Sequence, residues 1–408
     1  MDFAFPLSGL HFLPDWPLQA NPLISFGFVL LFAIVAGEAV SRLHLPRISA
    51  YVLTGVLLSF ARGTPEISGL VPAAHQVYEL AFALLLFELG QRIDLGWLRR
   101  NPWLLVTSLA ESSFAFVAVG ALMLLFNQPP IVALMIAALA AATGPAVVLG
   151  VSRDTAARGQ ITDRVALFSA LGSCYSFLVI GVAFAWQHDV TKAPLAVTLL
   201  HPIYLIFGSI ALAALAAWAA QYLPARIKPI QSSQTLASFA LIIITVALAE
   251  TLQLSVVISL LCAGMLSRNL DRRHRLQPLD FGLISRLALI VVFIASGTLL
   301  QPESFATAIL PALGVIAARA LAKGIGVFLF ARPSGLSLRK ASLLSIGLLP
   351  MSGATVLWVE STASVWPALG EQLAAIVLTA LLIMELIAPP ALQFALRQAD
   401  ETGEGSQA

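Results

Sequence analysis

Ionisable side chains within long apolar stretches are the first residues of this sequence that could do chemistry. Arg319 and Lys323 lie four residues apart in "IAARALAKGIGVFLFA", so a helix places them on one face. Glu111 in "SLAESSFAF" and Glu385 in "LLIMELIAPP" also lie deep within apolar runs. A charge at the centre of a bilayer costs roughly 2.5–3.5 kcal/mol on insertion scales, so these groups must be paired, protonated or turned toward protein or water. Each glutamate is therefore a candidate for a structural hydrogen bond or for a place on an ion path.

Two positions have a clear structural alternative. Lys323 could be neutral or held by the carbonyls of an unwound neighbour, or it could be a cation that leaves a carboxylate when a proton or substrate binds. We favour the second interpretation because a buried lysine readily changes its protonation state. Glu88 in "LLLFELGQRIDL" precedes Arg92 by four residues, and the structural alternative there is an ion pair near the inner surface. We count Glu88 and Arg319, with Lys323, Glu111 and Glu385, as candidates for proton or charge coupling.

A polar segment without any charge, "SALGSCYSFLVI", occupies residues 169–180. It gathers hydroxyl and thiol groups within two predicted helical turns, at Ser173, Cys174, Tyr175 and Ser176. Small residues of this kind let membrane helices pack closely, which is one explanation. The other is that their neutral oxygens line a site for a transported ligand.

Two matched interruptions predict broken helices. "AATGPAVVLG" (141–150) contains Thr143, Gly144 and Pro145, and "LLPMSGATVLW" (348–358) contains Pro350 and Ser352. Each proline removes a backbone donor, and the neighbouring small and hydroxyl residues tolerate local unwinding. Because transporters place their sites where broken helices cross, we predict that these residues bind the ion or substrate.

The composition shows what kind of element must position these residues. The 408-residue chain is 59% hydrophobic and 11% charged, with a mean hydropathy of +0.91, whereas soluble domains carry about 25% charged residues. From this composition we expect an all-α polytopic membrane protein. The sequence contains no catalytic motif, phosphate-binding loop or metal-ligand cluster, so we expect no cofactor, resident metal or nucleic-acid partner. The two cysteines lie in apolar runs and do not suggest a disulfide framework or a zinc site.

Stretches long enough to cross roughly 30 Å of hydrocarbon predict about thirteen helices, at 23–41, 48–61, 76–90, 103–126, 131–151, 165–186, 199–222, 234–250, 253–267, 281–300, 308–331, 341–361 and 372–396. With the N-terminus outside, nearly all Lys and Arg residues between spans fall on the inner side, and Arg62 and Lys192 fall on the outer side. We therefore expect an extracytoplasmic segment at 1–22, a transmembrane domain at 23–396 and a disordered cytoplasmic tail at 397–408.

The odd number of spans allows two inverted six-helix repeats around helix 7, so that helix 4 pairs with helix 11, 5 with 12 and 6 with 13. Inverted repeats with broken helices are typical of secondary transporters. The two interruptions fall on helices 5 and 12, which this symmetry pairs.

At this point the chain resembles the monovalent cation:proton antiporter superfamily, in its branch of sodium–proton and Kef-type potassium–proton exchangers. The resemblance covers roughly residues 25–395 and rests on the order of several short motifs. They are "LHLPRISAYVLTGVLLS" (43–59), "LLLFELGQRIDLGWLRR" (84–100), "ATGPAVV" around Pro145, "LLCAGMLSRN" (260–269) and "ARALAKGIGVFL" around Lys323. It implies a homodimer in the inner membrane, with a core of crossed broken helices that moves like an elevator and exchanges sodium or potassium for protons.

The chain departs from that pattern at its chemical centre. The resemblance implies an acidic pair on helix 6 near Ser173, Cys174 and Tyr175, yet no Asp or Glu occurs from Arg164 to Trp186. After Pro350, "MSGATV" replaces the charged Arg-Gly-Glu type sequence of the family. Both charged motifs are therefore missing.

Three functions remain open. The first is cation:proton antiport with a rearranged site, in which Thr143, Ser173 and Ser176 offer neutral oxygens and Glu111 or Glu385 carries the proton. The second is transport of an anion or organic acid on the same scaffold, favoured by the retained Arg319 and Lys323. The third is a membrane sensor or regulatory subunit that does not transport, since fold alone does not determine function.

Overall fold

The computed structural model describes residues 22–60, 71–190, 195–226, 231–270, 281–299 and 302–403. Within these ranges the secondary structure consists of sixteen helices. They are α1 (Pro22–Arg42), α2 (Arg47–Ser59), α3 (Val71–Gln91), α4 (Leu95–Arg100), α5 (Pro102–Leu125), α6 (Pro130–Ala141), α7 (Pro145–Asp154), α8 (Gln160–Val190), α9 (Leu195–Arg226), α10 (Gln231–Thr251), α11 (Val256–Leu270), α12 (Gly282–Thr298), α13 (Pro302–Phe330), α14 (Leu338–Gly347), α15 (Ala354–Val365) and α16 (Pro367–Gln398).

The helices account for every predicted span. The short helix α4 connects the third and fourth spans, and the fifth and twelfth are each divided in two, as α6–α7 and α14–α15. Across the described ranges, α1, α5, α8, α9, α13 and α16 are each long and apolar enough to cross a membrane. The predicted all-α polytopic fold with two broken helices is therefore confirmed.

The two breaks meet each other. Ala142 and Gly144 are extended, and Pro145 begins α7, where a proline needs no hydrogen-bond partner. The backbone N–H of Gly144 donates to the Pro350 carbonyl at 3.0 Å, and Thr143 forms an isolated antiparallel bridge with Met351. Because a Cβ at Gly144 would collide with the Met351 carbonyl, the crossing requires glycine at this position.

The inverted repeat is also visible in two close helix contacts. A Cβ on Gly55 of α2 would lie 2.8 Å from the Gly297 Cα of α12, and one on Gly90 of α3 would lie 3.0 Å from the Gly264 Cα of α11. These pairs join helix 2 to helix 10 and helix 3 to helix 9. The repeat relates one contact to the other, since it pairs helix 2 with 9 and helix 3 with 10.

The helices pack as two groups. The crossing group consists of α5–α8 and α13–α16, which pack around the two breaks, and the flanking group consists of α1–α3 and α9–α12. Between the groups, α16 packs on α2 and α12, α7 on α3, and α8 on α9 and α11.

The prediction of a disordered tail is wrong for the residues that directly follow α16. The Glu401 carboxylate accepts hydrogen bonds from the backbone N–H groups of Ile161 (2.7 Å) and Thr162 (2.8 Å). The Arg158 N–H donates to the Glu401 carbonyl at 2.8 Å. The reason is that the first N–H groups of α8 have no partner within the helix and favour a negative charge. Residues 1–21 and 404–408 of the predicted terminal segments lie outside the described residues.

Candidate functional site

Arg319 holds the two breaks together. Its side chain is 1% exposed and donates to the carbonyls of Ala140 (2.7 Å), Ala142 (2.9 Å) and Pro350 (2.7 Å), and also to that of Leu349. The last carbonyls of a helix have no partner within that helix, and the planar guanidinium offers five donors in a fixed geometry. Arg319 is therefore a charged cap on the C-terminal ends of both α6 and α14.

One turn further along α13, Lys323 contacts both a carboxylate and the first break. Its Nζ atom forms an ion pair with Glu111 of α5 and lies 3.1 Å from the Thr143 Oγ1. Lys323 and Glu111 are 1% and 0% exposed. Ser112 donates to the other Glu111 oxygen at 3.0 Å. The carboxylate that reaches the crossing thus comes from helix 4 and not from helix 6.

Close packing of α13 on α5 makes this pair possible. A Cβ on Gly326 would lie 2.5 Å from the Glu111 Cα, so a larger residue there would force the helices apart. Gly326 lies three residues after Lys323 and therefore on the same side of α13. This glycine is a positioning residue for the ion pair.

Thr143 connects the first break to three neighbouring elements. Its hydroxyl contacts Lys323 and lies 3.5 Å from the Leu348 carbonyl, and its own carbonyl accepts a hydrogen bond from Ser169 of α8 at 3.0 Å. Ser169 in turn accepts from Ser173 at its carbonyl, at 2.9 Å. The polar residues of the uncharged segment 169–180 therefore begin directly at the break.

A small polar cavity lies beside the crossing. Its volume is ≈ 10 Å³, which is room for about one water molecule. Its hydroxyl groups belong to Ser173 and Ser176 of α8, Ser352 in the second break and Thr355 in the first turn of α15. The remaining lining residues are Leu139, Ala142, Val257, Ala354 and Trp358. The Thr355 hydroxyl is buried and has no hydrogen-bond partner among the described residues, so this cavity offers an oxygen that a bound ion or water molecule could use.

Cys174 and Tyr175, predicted with their neighbours, are not part of this cavity. The Tyr175 ring packs edge-on against Phe116, with ring centroids 6.4 Å apart. Cys174 lies against Cys262 of α11. Successive residues on a helix point about 100° apart, so the four adjacent positions 173–176 cannot all face one ligand.

Glu88 lies away from the crossing and joins α3 of the flanking group to α7 of the crossing group. The predicted ion pair with Arg92 is present at 3.3 Å, but Arg153 of α7 is closer at 2.6 Å. Ser285 of α12 donates to the second carboxylate oxygen at 2.9 Å. Glu88 is therefore fully partnered at the ends of three helices, and these contacts do not include the crossing.

Glu385 also lies apart from the Lys323 pair. Its side chain on α16 is 2% exposed and lies beside Ser296 of α12 and Tyr78 of α3. The Tyr78 hydroxyl donates to the Gly353 carbonyl, at the end of the second break, at 2.8 Å. Glu385 is thus connected to the second break through one side chain, that of Tyr78.

Sequence reasoning missed Thr355 and Trp358, and it included Ser169 only as the first residue of the polar segment 169–180. Thr355 is the first hydroxyl of the half-helix that follows Pro350, and that position was a usable signal. Trp358 carried no such signal, because its place beside the cavity depends on which face of α15 meets the crossing. No group of three or more His, Cys, Asp or Glu side chains in the part of the chain described could hold a metal ion.

The comparisons with known proteins concern the family and the fold of the chain. A family model described as the transmembrane part of sodium/hydrogen exchangers matches residues 27–398. A structure of the sodium proton antiporter MjNhaP1 from Methanocaldococcus jannaschii, determined at pH 8, is similar with a TM-score of 0.67 and 16% sequence identity, over 94% of this chain and 97% of that chain. An electron-microscopy structure of the same antiporter gives 0.66 and 18%, over 93% and 99%. At identities this low, the structural similarity shows a shared fold alone. No curated protein matches the sequence.

Proposed function

This chain belongs to the sodium/hydrogen exchanger family, and on that premise we propose that it exchanges a monovalent cation, sodium or potassium, for protons across a membrane. It is a multi-pass membrane protein, and the charge of its loops supports an orientation with the N-terminus outside and the C-terminus in the cytoplasm. The proposal adds a site that differs from the family pattern, because helix 6 has no carboxylate.

The contact of Lys323 with both Glu111 and Thr143 carries this proposal. The ion pair is neutral as a whole, and both side chains are buried. A cation that approached the Glu111 carboxylate would place two positive charges beside one negative charge at a buried site, where charges are screened much less than in bulk water. Lys323 therefore releases its proton as the cation binds, and takes a proton back as the cation leaves.

The exchange balances in charge. Before binding, the site holds a lysine ammonium and a carboxylate; afterwards it holds a neutral amine, the same carboxylate and the cation. One proton leaves for each cation that enters. Glu111 and Thr143 supply hard oxygen atoms of the kind that hard cations prefer, and the hydroxyls of Ser173, Ser176, Ser352 and Thr355 supply neutral oxygens along the neighbouring path.

Arg319 has a positioning role in this proposal. Four carbonyls at or beside the two breaks accept from its guanidinium, so a positive charge is already bound at these oxygens. Arg319 keeps the unwound segments in place while Lys323 changes its protonation state, since a guanidinium remains protonated where a lysine does not.

We further propose that the crossing group moves against the flanking group, so that the site opens to one side of the membrane at a time. The division of the packing into two groups supports this elevator motion. In this proposal the flanking group stays fixed in the membrane and supplies the surface for a homodimer.

The cavity favours a second candidate function, the transport of an anion or organic acid. Its lining offers hydroxyl groups and the first turn of α15 but no carboxylate, and the N-terminal end of a helix attracts negative charge. In this alternative Arg319 supplies the positive charge that attracts the anion, because the Glu111 carboxylate is already paired with Lys323.

Reconstitution into proteoliposomes with an imposed pH gradient distinguishes these functions. Addition of sodium or potassium should dissipate the gradient if the chain is a cation:proton antiporter. Dissipation by an anion, with no response to either cation, would support the second function. No response to any ion would contradict both and leave a sensor or regulatory role.

A further inference from the structure

Glu385 is a buried carboxyl group that the proposed exchange does not use. It belongs to α16 of the crossing group, and its neighbours Ser296 and Tyr78 belong to the flanking group. Glu385, Ser296 and Tyr78 are 2%, 3% and 3% exposed. The carboxyl group thus lies in the contact surface along which the two groups of helices would slide.

Among the described residues, the Ser296 hydroxyl is the one side chain placed to bond to the Glu385 carboxyl group, and the Glu385 Oε2 has no other partner. An ionised carboxylate needs several hydrogen-bond donors or a cation when it is buried. A protonated carboxyl group needs much less, and it also carries a proton that a hydroxyl can accept. A contact with a single hydroxyl therefore fits a neutral Glu385 better than a charged one.

The charged groups on the neighbouring helices are committed elsewhere. Seven cations lie on the helices packed against α16. Lys323 pairs with Glu111, Arg319 caps the breaks and Arg153 pairs with Glu88. Arg47 pairs with Glu38 and Asp154, and Arg286 of α12 lies near Asp154 and Tyr51. Lys340 bonds to Gln160 and Arg339 to the Gln398 carbonyl. Tyr78 is the titratable group that faces Glu385, and Glu360 of α15 acts on Tyr78 from further away. No cation in these contacts compensates an ionised Glu385.

Tyr78 connects this contact to the crossing. Its hydroxyl donates to the carbonyl of Gly353, the residue before α15, and its ring stacks on Phe82 with centroids 5.9 Å apart. A charge on Glu385 would act on the residue that anchors the second break. Protonation of Glu385 and the position of the broken helix are thereby linked.

We propose that Glu385 is a second proton-binding site, separate from the Glu111–Lys323 pair, and that the crossing group slides past α12 and α3 only while this carboxyl group is protonated. The inference rests on the proposed antiport and elevator motion. The chemistry is a simple dissociation: the carboxyl group gives its proton to water when it is wetted, and the resulting carboxylate cannot re-enter the dry contact.

Infrared spectroscopy of the purified protein tests the proton directly, without any transport. The C=O stretching band of protonated carboxyl groups should keep its wild-type intensity in Glu111→Gln and should lose intensity in Glu385→Gln. Glu38→Gln, which changes an exposed carboxylate, is the matched control and should leave the intensity unchanged. Glu79 lies beside Glu250 and can share a proton with it, so the test is the difference between the wild-type and variant spectra. No loss of intensity in Glu385→Gln would overturn the inference, whether or not the protein exchanges cations.

The pH profile of exchange tests the link to sliding. Gln resembles a carboxyl group that is permanently protonated, so the alkaline decline of exchange in Glu385→Gln should shift to higher pH than in the wild type. Glu385→Asp, which keeps a titrating group, should retain a decline. An unchanged profile in Glu385→Gln, with exchange intact, would contradict the inference but not the antiport. If the wild-type protein showed no exchange, the proposed antiport would be contradicted, while the infrared spectra would still test whether Glu385 is protonated.

Discussion

Lys323 and Glu111 form an ion pair across the two helices, α13 and α5, that the inverted repeat relates to each other. The Lys323 ammonium and the Glu111 carboxylate therefore lie close to the pseudo-symmetry axis, beside the crossing of the broken helices. Helix 6 has no carboxylate, but Glu111 on helix 4 supplies one beside the crossing. Its ion pair with Lys323 leaves neither residue as a buried, unpaired charge.

Replacement of Lys323 by arginine should abolish proton-coupled exchange while preserving the charge. Arginine cannot release its proton in a protein, so a cation could no longer displace it from Glu111 by deprotonation. Exchange in proteoliposomes measures the effect, and Lys340→Arg in the first turn of α14 is the matched control. Wild-type exchange by Lys323→Arg would show that the lysine proton is not the one exchanged.

Arg319→Lys should destabilise the protein strongly. An ammonium has three donors and cannot span the four carbonyls that the guanidinium reaches, and each buried carbonyl left without a partner costs about 1–3 kcal/mol. Thermal unfolding in detergent should begin at a clearly lower temperature than for Arg47→Lys, which alters an exposed ion pair. Equal unfolding temperatures for the two variants would rule out the capping role.

Thr355→Val separates transport from stability. The substitution removes a buried hydroxyl without a partner, so the unfolding temperature should stay the same or rise, while exchange should slow because the cavity loses an oxygen. Thr362→Val on the same helix is the control, since that hydroxyl bonds to the Trp358 carbonyl and is not in the cavity. If Thr355→Val transports like the wild type, the cavity is not on the ion path.

Glu401→Ala should lower stability by about 0.5–2 kcal/mol, the typical effect of losing an N-terminal helix cap. The substitution leaves the first N–H groups of α8 without the carboxylate that now accepts from them. Thermal unfolding of this variant should be compared with that of Glu371→Ala, an exposed glutamate on α16. Identical unfolding curves would mean that the tail contact contributes nothing.

Much of the fold could be predicted from the sequence. Pro145 and Pro350 are local signals, because each removes a donor from its own helix, and the structure breaks the helices at those positions. The length of each apolar stretch and the charge of each loop can be read from neighbouring residues alone, so the number and order of the membrane spans could also be predicted.

The partners within the site were not accessible in the same way. Glu111 and Lys323 are 212 residues apart, and no local pattern shows which faces of α5 and α13 meet. Glu385 is equally acidic and equally deep in an apolar run, so the sequence could not separate the two. The tail was missed for a related reason: Glu401 is polar and terminal, and its order depends on a helix end 239–240 residues away.

The exchange activity of Glu111→Gln tests the central claim most directly. Glutamine keeps the shape of the side chain but removes the charge that binds the cation and holds Lys323. In proteoliposomes with an imposed pH gradient, sodium or potassium should dissipate the gradient through the wild type and through Glu38→Gln, and should have no effect through folded Glu111→Gln. Wild-type exchange by Glu111→Gln would contradict the assignment of Glu111 and Lys323 as the exchange site.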